Sequence, residues 1–431
     1  MKCKGIYLLF LIPALTTCLE SPEMTTGIVN GKEKPTVITK SGVLSPNDGN
    51  LLFHGELIGK GKDDRIEKGF YWSVVSLNPG INGPCDSIIV PYSNQDDFTY
   101  ELKSALGDTI YYWRAFAKNS YGYDYGEVQS CTTPKIWVEK NPLMTNSRGR
   151  GAVFVIKNII YMTCGVLLEG STQASELLEF NITNNLWSFN SLHSFPGENR
   201  RDPVVFTIGN YAYIGTGLRG SGYALKDFYR YDNTSRKWDE ISIPDEMETR
   251  SQASAFSING KGYVIGGLSA GGGSLEYNDV WQYSPEEDLW EKKHNFPELF
   301  SGGLSISGNN RIFVGFGSGA TEKKLWEYNA ENDSWIDFFT LPDNVKSKIY
   351  SGVIVHNTIY LVDEDKLIWT LNLSDRTWRK KTNLPDCFPN KGDIEMGRVF
   401  QTLLTTGNNN SIYIGLGFSQ YLYEYRPLWD N

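Results

Sequence analysis

The sequence predicts an all-β protein, and three observations carry that expectation. Aromatic residues and glycine are both abundant, with 25 Tyr, 21 Phe, 12 Trp and 43 Gly among 431 residues. This mixture suits short strands joined by tight turns better than helices. Apolar and polar residues alternate with period two through the first third of the chain, as in half-buried strands. Tryptophan then recurs at near-regular intervals through the remaining two thirds. Apolar residues make up 40% and charged residues 21%, a globular composition. The length exceeds one ordinary domain. A formal charge of -9 and a pI near 5.2 argue against a nucleic-acid partner, which would require a basic face.

The chain begins with an export pattern. Lys2 and Lys4 precede the apolar run from Ile6 to Leu15, which is too short to span a bilayer as a helix. Leu15-Thr16-Thr17-Cys18 resembles a bacterial lipobox, so residues 1–18 are expected to be a lipoprotein-type signal and Cys18 the lipidated residue. Thr17 departs from the usual small residue, which leaves a plain signal peptide open. Residues 19–34 are polar and read as a tether. The expected location is the outer membrane or cell surface of a Gram-negative bacterium, with a periplasmic or secreted protein as the alternative. After Cys3 and Cys18, four cysteines remain: Cys85, Cys131, Cys164 and Cys387. Cys85 and Cys131 either pair or stay as separate buried thiols. The absence of a CxxC pair speaks against structural zinc, and neither a metal nor a cofactor is expected.

Residues 35–135 are expected to form a β-sandwich. Alternating runs recur between turn residues, among them Leu51-Leu52-Phe53-His54-Gly55 and Gly69-Phe70-Tyr71-Trp72-Ser73. The run from Tyr111 to Asn119, followed by Gly122 and Gly126, resembles the penultimate strand of fibronectin type III-like modules of bacterial surface lipoproteins. That resemblance implies a spacer.

Residues 136–431 are a repeat array. An aromatic residue stands seven places before a tryptophan in Phe180/Trp187, Tyr231/Trp238, Tyr283/Trp290 and Tyr328/Trp335, and Leu371 holds the place before Trp378. Upstream of these pairs lie apolar runs ending in small residues, such as Gly262-Tyr263-Val264-Ile265-Gly266-Gly267. Glycine pairs, Tyr and Trp at these offsets resemble the kelch motif, which implies a β-propeller with one four-stranded blade per repeat. Tyr425 aligns with Tyr328, but its tryptophan would fall at position 432, beyond the last residue. A tryptophan does stand at the front of the array, in Ile136-Trp137-Val138-Glu139-Lys140. The expected fold is therefore a six-bladed kelch propeller whose last blade is closed by this N-terminal strand. The fifth unit lacks the glycine pair, and its inner turn should be tighter.

Candidate chemistry is sparse. Arg148, Arg200 and Arg250 each lie thirteen residues before an inner-strand tyrosine, with Lys348 and Arg398 near the same place in later units. Entering the innermost strands from one end, they are expected to ring a mouth of the channel and to suit anions. In animal kelch adaptors, arginines at this place bind acidic peptides, so the resemblance implies an anion-preferring pocket. The other reading is that these arginines cap strand carbonyls or balance acids such as Asp202 and Glu248. Arg219, in a glycine-containing loop, is a further candidate contact. The four histidines, His54, His193, His294 and His356, are too dispersed for the copper site of a kelch-type oxidase. Asp393 and Glu395 are weak candidates for acid–base work. The sequence thus points to a membrane-anchored monomer that binds a glycan or an extracellular protein or peptide. A sialic-acid epimerase-like or other sugar-modifying kelch enzyme is the alternative.

Overall fold

The seven-residue aromatic–tryptophan spacing is a hairpin. Phe180 faces Trp187 across two antiparallel strands, Tyr231 faces Trp238, Tyr283 faces Trp290, Tyr328 faces Trp335 and Leu371 faces Trp378. The four aromatic pairs have ring centroids 4.7–5.0 Å apart. Each such pair adds about 0.5–1.5 kcal/mol beyond the area it buries. Between the partners the chain turns through a left-handed residue two places before each tryptophan: Asn185, Arg236, Asp288, Asp333 and Arg376. Asn181, Asp232, Asn329 and Asn372 open these turns by accepting backbone N–H bonds from residues two places on. The Asn-rich sequence of this outer turn is thus a turn requirement.

The computed structural model describes residues 33–430, apart from 46–47, 64, 82, 144–146, 168–171, 190, 221, 270–274, 344, 346–347, 389–401, 406–409 and 418. The signal, Cys18 and most of the tether lie outside the described residues. The chain divides into two compact units. One comprises the chain up to Ile136 together with the end from Leu428, and the other runs from Trp137 to Pro427.

In the first unit one sheet holds Thr36–Ser45, Asn50–Gly59 and Asp97–Leu102. The other holds Asp86–Ile89, Glu67–Ser73, Ile110–Asn119, Gly122–Tyr125 and Gln129–Thr132. Alternate residues of both sheets supply one core containing Leu51, Phe53, Phe70, Phe98 and Trp113. Trp429 joins that core, and its carbonyl accepts the Gly107 N–H at 2.8 Å. Among the described residues no disulfide links Cys85 to Cys131.

The second unit contains six four-stranded antiparallel sheets. Their innermost strands are Ala152–Ile156, Val204–Ile208, Ser254–Ile258, Leu304–Gly308, Ile349–Val355 and Thr402–Thr405. Each neighbours the next, and the sixth neighbours the first, so the blades close a ring. Aromatics tie consecutive blades together. Tyr161 packs on Tyr231, Tyr213 on Tyr283, Tyr263 on Tyr328 and Tyr360 on Tyr425, at 5.5–6.2 Å. Indoles add hydrogen bonds between blades: Trp187 Nε1 donates to Asn141 O and Trp238 Nε1 to His193 O. The His193 carbonyl thus accepts an inter-blade bond at the periphery. The fifth blade replaces its glycine pair with Asp363, whose carboxylate accepts the N–H groups of Asp365 and Leu367 and the Trp369 indole.

The sixth sheet takes its outer strand from Trp137–Glu139, pairing Trp137 with Tyr425 at a centroid distance of 4.7 Å. Lys140 Nζ seals the join with a 2.6 Å ion pair to Glu424 Oε2, both side chains being nearly buried. Burial pushes the Glu424 carboxyl up, but hydrogen bonds from Arg426, Lys140 and Ser411 outweigh it and hold the pKa at about 2. A depressed folded-state pKa stabilises the fold above the unfolded value and is lost as pH falls through the folded one. Between about pH 5 and pH 2 this contact should cost the propeller about 2–3 kcal/mol. Urea titrations across that range should show the loss in the parent, and a Glu424→Gln variant, weaker at pH 7, should show a flatter profile.

Candidate functional site

The entries to the first three innermost strands repeat a local design. Arg200 is fully buried and grips Asp227 through two bonds of 2.6 Å. It also donates to Thr216 O at 3.0 Å and Glu198 O at 2.9 Å. Arg250 repeats the arrangement with Asp279 at 2.7 and 2.9 Å, Gly266 O at 3.0 Å and Glu248 O at 3.2 Å. Arg148 is buried against Glu176 at 3.1 Å. The acids lie 28, 27 and 29 residues after Arg148, Arg200 and Arg250. The carbonyls gripped by the two strongest clamps belong to Thr216 and Gly266, both left-handed. Each clamp thus ties the start of the first strand to the turn after the second and to the third strand's approach. Phe195 and Tyr277 lie under the Arg200 and Arg250 guanidinium groups at 4.8 and 4.9 Å.

The expected cationic ring at the mouth is corrected by these contacts. Arg148, Arg200 and Arg250 are buried in the blades, and the donors of Arg200 and Arg250 are engaged by protein acceptors. Lys348 is exposed and does not line the cavity described below. Arg219 is partly exposed, bonded to Glu198 and packed over Tyr223. Arg398, Asp393 and Glu395 lie outside the described residues.

The mouth is built by residues two places further on. Arg150, Asp202, Gln252 and Gly302 follow Arg148, Arg200, Arg250 and Phe300 by two, and all four are left-handed, with φ of 55–61°. That turn separates the inward arginine from the residue facing the axis. The four residues, with Tyr350 and Ser351 of the fifth blade and Leu416 of the sixth, line a cavity of about 280 Å³. Gly302 and Gly303 leave one side of its wall without side chains. Val153, Pro203, Ala253 and Leu304 give it apolar patches.

Among the described lining residues the charges balance. Arg150 Nε donates to Asp202 Oδ1 at 2.7 Å and Nη2 to Oδ2, and the Asp202 N–H donates to Arg150 O at 2.7 Å. The two side chains are only 13% and 11% exposed. Tyr350 Oη donates to Glu364 Oε2 at 3.3 Å. The site therefore offers a paired cation and anion, an amide and hydroxyls: a surface for neutral polar groups. Among the described residues no cluster of three or more His, Cys, Asp or Glu forms a metal cage.

Sequence reasoning missed the +2 positions because Arg, Asp, Gln and Gly share no residue type. The signal available was the acid 27–29 residues after each arginine, which marks those arginines as clamped. Removing Arg250 leaves the mostly buried Asp279 without its counter-charge, a cost of about 3–5 kcal/mol. Asp279 is nearly buried, and although burial raises its pKa, the Arg250 bonds hold it below the usual carboxylate range. Arg250→Ala should accordingly lower the urea midpoint sharply, and Arg250→Lys should recover little because it lacks the planar fork.

Comparison with known proteins bears on the fold. Residues 149–363 match the family model described as the KLHDC2/KLHL20/DRC7 Kelch-repeats domain. An N-acetylneuraminate epimerase of Salmonella typhi is 24% identical over 227 residues, covering 51% of this chain and 53% of the relative. An F-box/kelch-repeat protein of Arabidopsis thaliana is 25% identical over 227 residues, covering 50% and 57%. Kelch-like protein 35 of Mus musculus is 27% identical over 218 residues, covering 49% and 34%. The chain thus spans about half the length, or less, of the curated relatives it matches. Among solved structures, the structure of YjhT aligns with a TM-score of 0.51 at 13% identity, covering 64% of this chain and 91% of that one. The repeats that build this propeller are kelch repeats.

Proposed function

We propose that this chain is a lipid-anchored extracytoplasmic binding protein whose propeller takes one sugar unit of a glycan at the channel mouth. The observation that carries the reading is the cavity lining: polar groups from successive blades beside apolar patches, around about 280 Å³. That volume lies at the small end of ligand pockets, roughly 300–1,000 Å³. A sugar ring, with hydroxyl edges and C–H faces, matches such a lining better than an extended peptide. The lipobox-like Leu15-Thr16-Thr17-Cys18 supports anchoring at Cys18. The two-sheet first unit supports a fibronectin type III-like spacer above the membrane.

A sugar-modifying enzyme is the second reading, favoured by the relatives named N-acetylneuraminate epimerase. Against it, Asp202 is the one carboxylate among the described lining residues, and epimerisation calls for a base and an acid together in the channel.

A glycan array probed with the full chain and with Ser351→Trp, which fills the cavity, tests the proposal. Binding to a defined set of glycans by the parent, lost in the folded variant, is expected. No binding, or binding unchanged by the tryptophan, would remove the mouth as the site. Proton NMR of N-acetylneuraminate provides the companion test. Unaltered exchange between its epimers in the presence of protein is expected, and acceleration would establish the enzymatic reading instead.

A further inference from the structure

We infer that the Arg150–Asp202 pair is the element of the mouth that reads the ligand, and that it selects neutral sugars with a vicinal pair of hydroxyls over acidic sugars. The inference rests on the sugar-site reading above and adds the chemical class.

The argument starts from donor and acceptor inventory. A guanidinium only donates, through five N–H groups, and a carboxylate only accepts, through about four lone-pair sites. The Arg150–Asp202 pair uses two donors and one lone pair on each oxygen. Donors therefore remain on one group and acceptors on the other, side by side. A vicinal diol is the complement: one hydroxyl oxygen accepts from Arg150, and the adjacent O–H donates to Asp202. A single hydroxyl uses half of this arrangement.

An acidic sugar meets the opposite situation. Its carboxylate would approach Arg150 beside the Asp202 carboxylate, and like charges at close range repel. Displacing Asp202 from Arg150 would leave a mostly buried carboxylate without its counter-charge, which is strongly unfavourable. Arg150 and Asp202 are the two charged groups among the described lining residues, and none of those residues supplies a second cation to offset that penalty. The pair is also fixed before any ligand arrives. The Asp202 N–H to Arg150 O bond joins the two backbones, and both residues sit in restricted left-handed conformations. Preorganised polar groups discriminate most strongly, because a mismatched ligand leaves them unsatisfied. Gln252 on the next blade extends the polar edge, and Val153 and Leu304 offer apolar surface for a ring face.

Isothermal titration calorimetry of the full chain against D-galactose, D-mannose, D-glucuronate and N-acetylneuraminate tests the inference. The parent should bind at least one neutral sugar about tenfold or more tighter than either acid. Asp202→Asn keeps a residue that tolerates the left-handed backbone and frees Arg150. It should reverse the preference, with the acids gaining about tenfold or more. Should Asp202→Asn fail to fold, Arg150→Lys, which keeps the charge without the fork, should narrow the neutral-to-acid ratio. A parent that prefers acids, or a ratio unchanged in the folded variant, overturns the selectivity while leaving the sugar site in place. No binding of any of the four sugars, or binding that survives Ser351→Trp, overturns the sugar site and the inference together.

Discussion

The buried arginine–acid clamp is the contact on which the mouth of this propeller depends. Arg200 with Asp227 and Arg250 with Asp279 each join three separate stretches of a blade through one guanidinium. A fully buried guanidinium is tolerable only when its charge is matched and its donors are used. The clamps meet that condition with a carboxylate and backbone carbonyls. They hold in place left-handed turns that L-residues adopt only at roughly 1–2 kcal/mol each. The left-handed residue two places past each arginine then faces the axis. A structural device thus decides which side chains are available for binding, and it withdraws the arginines themselves.

The outer edge of the ring is organised differently. There the aromatic–tryptophan hairpins repeat with little variation, and indole-to-carbonyl bonds tie neighbouring blades. A ring needs one join where chain order is broken, and Trp137–Glu139 makes it by pairing with Leu422–Tyr425. The Lys140–Glu424 pair puts a nearly buried charge contact at that join. Packing repeats elsewhere, whereas closure rests on a strand far away in sequence.

Much of this was legible in the sequence, and for physical reasons. Cross-strand partners in a tight hairpin have a fixed offset, so seven-residue spacing reports the two outer strands of a blade directly. The tryptophan at the front of the array, Trp137, which pairs with Tyr425, states the closure. The mouth was not legible in the same way. A residue's place at a strand entry does not reveal which way its side chain points when a left-handed residue intervenes. Arg148, Arg200 and Arg250 looked like a cationic rim because their spacing is regular, yet regular spacing is also what a structural clamp produces. Their partners lie in unlike settings, Glu176 and Asp227 in loops and Asp279 within the strand Glu276–Ser284, so the pairs emerge only when the blade is folded. Arg150, Asp202, Gln252 and Gly302 carry no common chemistry and no sequence signature beyond their offset.

Phenylglyoxal labelling of the native chain, mapped by peptide mass spectrometry, tests the central claim most directly: that the repeated arginines are internal and the mouth is lined by the residues after them. Arg379 is exposed and serves as the control. Arg200 and Arg250 should stay unlabelled in the folded protein and react only after unfolding. Labelling of Arg200 and Arg250 at a rate close to that of Arg379 would contradict the account and return them to the rim of the channel.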